Sequence, residues 1–166
     1  MFARNLVPAL VFLAFGAGAA HAEVPVRIDQ FDHWGAYSYK SGDSVSCYVL
    51  SRPIAQKPVN VDHGDNFFIV SRLSPGDKLV PEAAMGYDPK EGVSMTATVG
   101  DKTFPMFTKD RHGWVRDETQ EPAMVSAMKG GAQLELQATS KRGTATSYSY
   151  SLSGITSALK RIETCN

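Results

Sequence analysis

Cysteine, net charge and long apolar runs are all scarce in this sequence, and each shortage narrows what the chain can be. Only Cys47 and Cys165 are cysteines, so no paired Cys-x-x-Cys motif can form, and H-E-x-x-H and EF-hand patterns are missing as well. Lys and Arg number 17, and Asp and Glu number 17, for a formal charge of zero. Such a balance argues against nucleic acid as a partner and gives no reason to dock on anionic lipid. There is no G-x-S-x-G, no phosphate loop, no dinucleotide fingerprint and no internal repeat. One apolar run stands out, Leu6 to Ala20, and it falls short of the ~20 residues of a comfortable membrane span.

That run sits in a segment with the marks of a secretory signal. Arg4 supplies the positive start, and Ala20-His21-Ala22 is a small-x-small cleavage site before Glu23. Residues 1–22 are therefore expected to be a cleaved leader, and residues 23–166 a single domain that is periplasmic or secreted, with no membrane span left. Removing the leader removes Arg4 alone among the charged residues and takes the formal charge from 0 to −1. In an oxidising compartment the two cysteines are expected to pair as Cys47–Cys165.

What is present is a series of short alternating segments. Glu23 to Asp32 reads as a lead-in or edge strand. Phe31 to Lys40 reads as the first main strand, and a turn at Ser41-Gly42-Asp43 leads into a strand from Ser44 to Ser51. Arg52 to Asp65, with Pro53 and Pro58, reads as an extended connection. Asn66 to Leu73 is a strand, Ser74-Pro75-Gly76-Asp77 fits a type II turn, and Leu79 to Tyr87 returns, weakened by Pro81. Val93, Met95, Ala97 and Val99 alternate with Ser94, Thr96 and Thr98, and Thr103 to Thr108 completes a hairpin. Trp114-Val115 starts another short strand, and Leu134 and Leu136 mark a further one.

The period changes twice. Ala123, Met124, Ala127 and Met128 form a helical stripe, with Thr119 as cap and Gly130-Gly131 as stop. Thr146, Tyr148, Tyr150 and Leu152 alternate with serines. After Ser153-Gly154, residues Ile155, Ala158, Leu159 and Ile162 fall at i, i+3, i+4 and i+7, with Ser153 at the cap position. Eight or nine strands and two short helices predict an all-β fold, an antiparallel β-sandwich or barrel with the C-terminal helix packed on it.

Motifs for chemistry are thin. His33, His63 and His112 show no metal-ligand spacing, and Asp62-His63-Gly64-Asp65 reads as a solvated turn before it reads as a metal site. Ser-x-x-Lys occurs at Ser126–Lys129 and at Ser157–Lys160, where amphipathic helices end in lysine; two matches in one small chain mark chance. No catalytic residue, metal ligand or cofactor is assigned. Phe31, Trp34, Tyr37 and Tyr39 suit core packing better than an exposed stacking surface. The candidate binding surface is limited to Trp34, His63 and His112.

Several segments taken together resemble the invasion associated locus B family. They are Phe31 to Tyr37, Cys47 to Pro53 and Gly64 to Phe68, then Trp114 to Asp117, Val125 to Gly130, Arg142 to Thr146, Tyr150 to Gly154 and Ala158 to Lys160. The resemblance implies a bacterial exported protein of alphaproteobacterial type, β-rich and periplasmic or envelope-associated. The family takes its name from host-cell invasion by a pathogenic member, and it brings no catalytic residues with it. The expectation is a non-enzymatic binding or host-interaction factor whose partner is an unidentified protein or envelope component. An envelope-modifying hydrolase and a structural or stress-protective protein are the alternatives.

Overall fold

The computed structural model describes residues 24–42, 44–72 and 78–165. The segment expected to be a leader, residues 1–22, and the segment expected to turn, Ser74 to Asp77, lie outside the described residues. The strands are β1 (Val26–Phe31), β2 (Trp34–Ser41), β3 (Ser44–Ser51), β4 (Ala55–Lys57), β5 (Phe67–Arg72), β6 (Leu79–Ala84), β7 (Met95–Val99), β8 (Lys102–Lys109), β9 (His112–Val115), β10 (Gln133–Thr139) and β11 (Ala145–Ser151). Two helices complete the fold, α1 (Glu121–Gly130) and α2 (Ile155–Glu163). All strand pairs are antiparallel, in one sheet of order β1-β2-β3-β5-β6-β9-β8-β7-β10-β11-β4. The β-rich class is as expected, and the barrel alternative drops out, because β1 and β4 remain unpaired with each other at the two ends of the order.

The sheet curls over its own core. Phe68 of β5 and Tyr150 of β11 stand far apart in the strand order, yet their rings meet edge-on at 5.7 Å. Alternation explains which side chains go in: Thr146, Tyr148 and Tyr150 of β11 are buried, as are Met95, Ala97 and Val99 of β7. Trp34 is fully enclosed, and its indole N–H donates to Ser151 O at 2.9 Å.

Among the described residues three hairpins turn on two residues, between Phe31 and Trp34, Val99 and Lys102, and Lys109 and His112. The first divides the segment expected to be one strand from Phe31 onward. Asp32 holds φ at 45° and Asp110 at 53°, the left-handed conformation such turns need and aspartate tolerates. Pro81 fits inside the sheet because the β6–β9 ladder begins only at Glu82.

The stripe of α2 is as read: Ile155, Ala158, Leu159 and Ile162 are all buried, against β1, β2 and β3. Just beyond the helix, Cys165 forms a disulfide with Cys47 of β3. Arg72 Nη1 donates to Ile162 O at 3.4 Å, placing positive charge at the helix C-terminus. Ser153 does not cap this helix; its hydroxyl donates to Asp32 Oδ2 at 2.7 Å, and Gly154 stands at the cap with φ 93°. A Cβ on Gly154 would lie 2.1 Å from Phe31 O, so both conformation and space demand glycine.

In α1 the buried face is Glu121, Met124, Val125 and Met128, while Ala123 is exposed. Thr119 is no cap either. Asp117 Oδ1 accepts from Thr119 N–H at the head of a short 3-10 turn that precedes the helix. The buried carboxylate of Glu121 is met by Lys78 Nζ at 3.2 Å, and Lys78 also binds Glu118 at 2.8 Å. Those two carboxylates hold the lysine above its ordinary pKa, Glu118 first.

Candidate functional site

Connections that precede β5 and follow β6, β8 and β10 gather around one polar cleft. Its deeper lobe measures about 630 Å³ and runs from Val61 to Gly64, past Gly86 to Asp88, to the turn between β10 and β11. A second lobe of about 690 Å³ shares Asp88, Arg111 and Lys141 with the first and is bounded by His112. Main-chain hydrogen bonds lock these loops together. Lys141 N–H donates to Asp88 O, Lys90 N–H to Thr139 O and Met85 N–H to Arg111 O, each at 2.8 Å.

The wall of the deeper lobe is two glycines packed backbone to backbone. A Cβ on Gly86 would come within 2.4 Å of His63 O, and one on Gly64, at φ 60°, within 2.6 Å of Gly86 O. Asn66, 2% exposed, knits the contact. Its side-chain amide donates to His63 O at 2.8 Å and to Gly64 O at 3.2 Å, and its carbonyl accepts from Gly86 N–H at 3.1 Å.

His63 is itself buried at 3% exposure and spends both ring nitrogens on the fold. Pro58 O, 2.9 Å from Nε2, can only accept, so Nε2 carries the proton; Nδ1 then accepts from the Tyr148 hydroxyl at 2.8 Å. Neighbouring Thr146 donates to Ala138 O at 3.2 Å and meets the Tyr87 hydroxyl at 2.6 Å. Burial above all pushes the Tyr148 phenol far above its usual range. Tyr148 therefore stays neutral at any physiological pH.

Charge is concentrated on the rim. Arg111, Lys141 and Arg142 face Asp62 and Asp88. Arg111 Nε binds Asp88 Oδ1 at 2.7 Å and, with Lys141 nearby, holds that carboxyl below the ordinary aspartate value. Asp62 Oδ1 accepts Gly64 N–H at 2.9 Å, an Asx-type turn.

The three residues expected to form a binding surface part company here. Trp34 belongs to the core and contributes no surface, because its indole serves the link to Ser151. His63 lines the deeper lobe but from within the wall, as a positioning group with no free nitrogen. His112 borders the second lobe, hydrogen-bonded to Glu82 and stacked on Trp114 at 5.6 Å. Ser126, Lys129, Ser157 and Lys160 are all exposed, on α1 and α2, and none lines the cleft. Among the described residues no group of three or more His, Cys, Asp or Glu could hold a metal ion, and no helix is long and apolar enough to cross a membrane.

Sequence reasoning did not find Asn66, Tyr87, Arg111, Lys141 or Arg142. One signal was available: Thr146 is a polar residue on the otherwise apolar face of β11, and it marks where the core opens toward the cleft.

The family model for the invasion associated locus B (IalB) protein matches residues 34–163, a span that includes the whole cleft. The chain belongs to the invasion associated locus B family. A crystal structure of invasion associated protein b from Bartonella henselae has the same fold, with a TM-score of 0.61 at 13% identity over 84% of this chain and 95% of that one. No curated protein sequence matches at a comparable level. Within the invasion associated locus B fold, the matched span begins at Trp34, the residue that ties β2 to the end of β11.

Proposed function

We propose that this chain is an exported, non-enzymatic binding protein of the bacterial envelope, periplasmic or secreted, that holds its partner at the polar cleft. One observation carries the reading. Of five buried polar or charged residues among the described residues, three (His63, Asn66 and Thr146) stand at this cleft, and their hydrogen bonds fix its walls. Burying polar groups stabilises little on balance, so such a concentration favours geometry over stability. The same bonds disfavour catalysis: the cleft histidine is engaged on both sides, and among the described residues no serine or cysteine pairs with it as nucleophile. Membership of the invasion associated locus B family and the leader-like residues 1–22 support export, and a host-facing role is one form the binding can take.

Two measurements test the reading. N-terminal sequencing of protein recovered from the periplasm or medium should begin at Glu23. A native pull-down from envelope extract should retain a stoichiometric partner with the unaltered chain and lose it with Thr144→Trp, which fills the mouth outside the β10–β11 ladder. Capture that is indifferent to Thr144→Trp, with circular dichroism unchanged, would remove the cleft from the account.

A further inference from the structure

We infer that the ligand group taken by the cleft is an anionic saccharide, a hydroxylated ring carrying a carboxylate or phosphate; this rests on the binding role proposed above. The charge comes first. In the deeper lobe three cations face two carboxylates, while the second lobe adds Lys109 with Glu91 and Asp110, so the positive excess belongs to the deeper lobe. Asp88 is already supplied by Arg111 at 2.7 Å with Lys141 beside it, and Asp62 is occupied by Gly64 N–H. Lys141 and Arg142, exposed on the turn between β10 and β11, are left to meet an incoming anion. A guanidinium and an ammonium side by side suit a carboxylate or phosphate, by forked and point-charge hydrogen bonds respectively.

The rest of the lining decides what carries that anion. Ser140 and Thr144 bring hydroxyls able to donate, with Ser140 Oγ already accepting Thr144 N–H, and the Tyr87 hydroxyl, which donates to Thr146, can still accept; such groups match the hydroxyls of a sugar ring. Val61 is the one aliphatic side chain lining the lobe among the described residues; the rest of its apolar surface comes from the Tyr87 ring and the stems of Lys141 and Arg142, on which the face of a sugar ring can lie. A volume of about 630 Å³ is that of a small-molecule site. The main-chain bonds between the loops mean that the site exists before the ligand arrives, which lowers the ordering cost of binding.

The probes are digalacturonate, glucose 1-phosphate, neutral maltose and inorganic phosphate, added to the folded mature chain and followed by amide NMR shifts. Saturable shifts at residues 62–64, 86–88 and 140–146 are expected with one or both acidic sugars, and none with maltose. Preference between the two acidic sugars identifies whether uronate or phosphate is the natural group. The double variant Lys141→Ala/Arg142→Ala, confined to an exposed turn, should weaken binding roughly tenfold or more, and added salt should weaken it further. Equal binding of maltose, inorganic phosphate that binds as well as either sugar, or indifference to the double variant overturns the inference. Silence from both acidic sugars also overturns it, and Thr144→Trp then separates the cases. Loss of the envelope partner in that variant leaves the binding role standing, and retention removes both.

Discussion

Tyr148 and Tyr150 stand two residues apart on the buried face of β11, and both are fully enclosed. The Tyr148 hydroxyl donates to His63, whereas the Tyr150 hydroxyl meets no hydrogen-bond partner among the described residues. Their removal should therefore differ. Tyr148→Phe strands a buried imidazole nitrogen and should cost about 1–2 kcal/mol in urea unfolding, while Tyr150→Phe should be neutral or mildly stabilising. Burial also lifts both phenols above the ordinary value of about 10. Above that pH the unfolded chain loses these protons and the native chain keeps them. Their contribution is thus fully present below about pH 10 and declines as pH rises beyond it, which thermal melts across the alkaline range will register. The alternation of β11 was legible residue by residue, because a strand's period depends on local chemistry alone. That His63 would be the partner of Tyr148, 85 residues away, was not.

At the scale of elements, the corner between β11 and α2 is latched onto the turn between β1 and β2. Trp34 reaches Ser151, Ser153 reaches Asp32, and Gly154 lies against Phe31. Gly154→Ala forces a side chain into a left-handed position and against a carbonyl, and should lower stability by at least ~2 kcal/mol. The far end of α2 is held by the disulfide, which closes a loop of sequence separation 118. Cys165→Ser should cost about 2–5 kcal/mol by chain entropy, measured as a shift in the denaturant midpoint. The helix itself was readable because its stripe is both apolar and regular. The stripe of α1 was read correctly at Met124 and Met128, with Ala127 packed against the core, but Ala123 is exposed and Glu121 and Val125 complete the face, since alanine signals burial weakly and Pro122 sets the first turn. The hairpin at Asp32-His33 escaped notice because aspartate there does what glycine more often does.

Across the whole molecule, the curled sheet sets two features against each other. Its edges offer little to a partner strand: β4 has three residues, and β1 carries Arg27, Asp29 and an irregular register between them. The cleft, by contrast, is rigid, polar and open. Its walls come from four connections brought together only by the strand order, which is why composition and spacing conveyed the fold class and the disulfide but not the site. The most direct test of the central claim, that this cleft is where the protein works, is amide hydrogen exchange on residues 23–166 with and without saturating envelope extract. Slowed exchange confined to residues 62–65, 86–90 and 140–144 is the expected result. Protection that bypasses those residues and appears instead on β1 or on the outer face around Phe107 and Trp114 would contradict it.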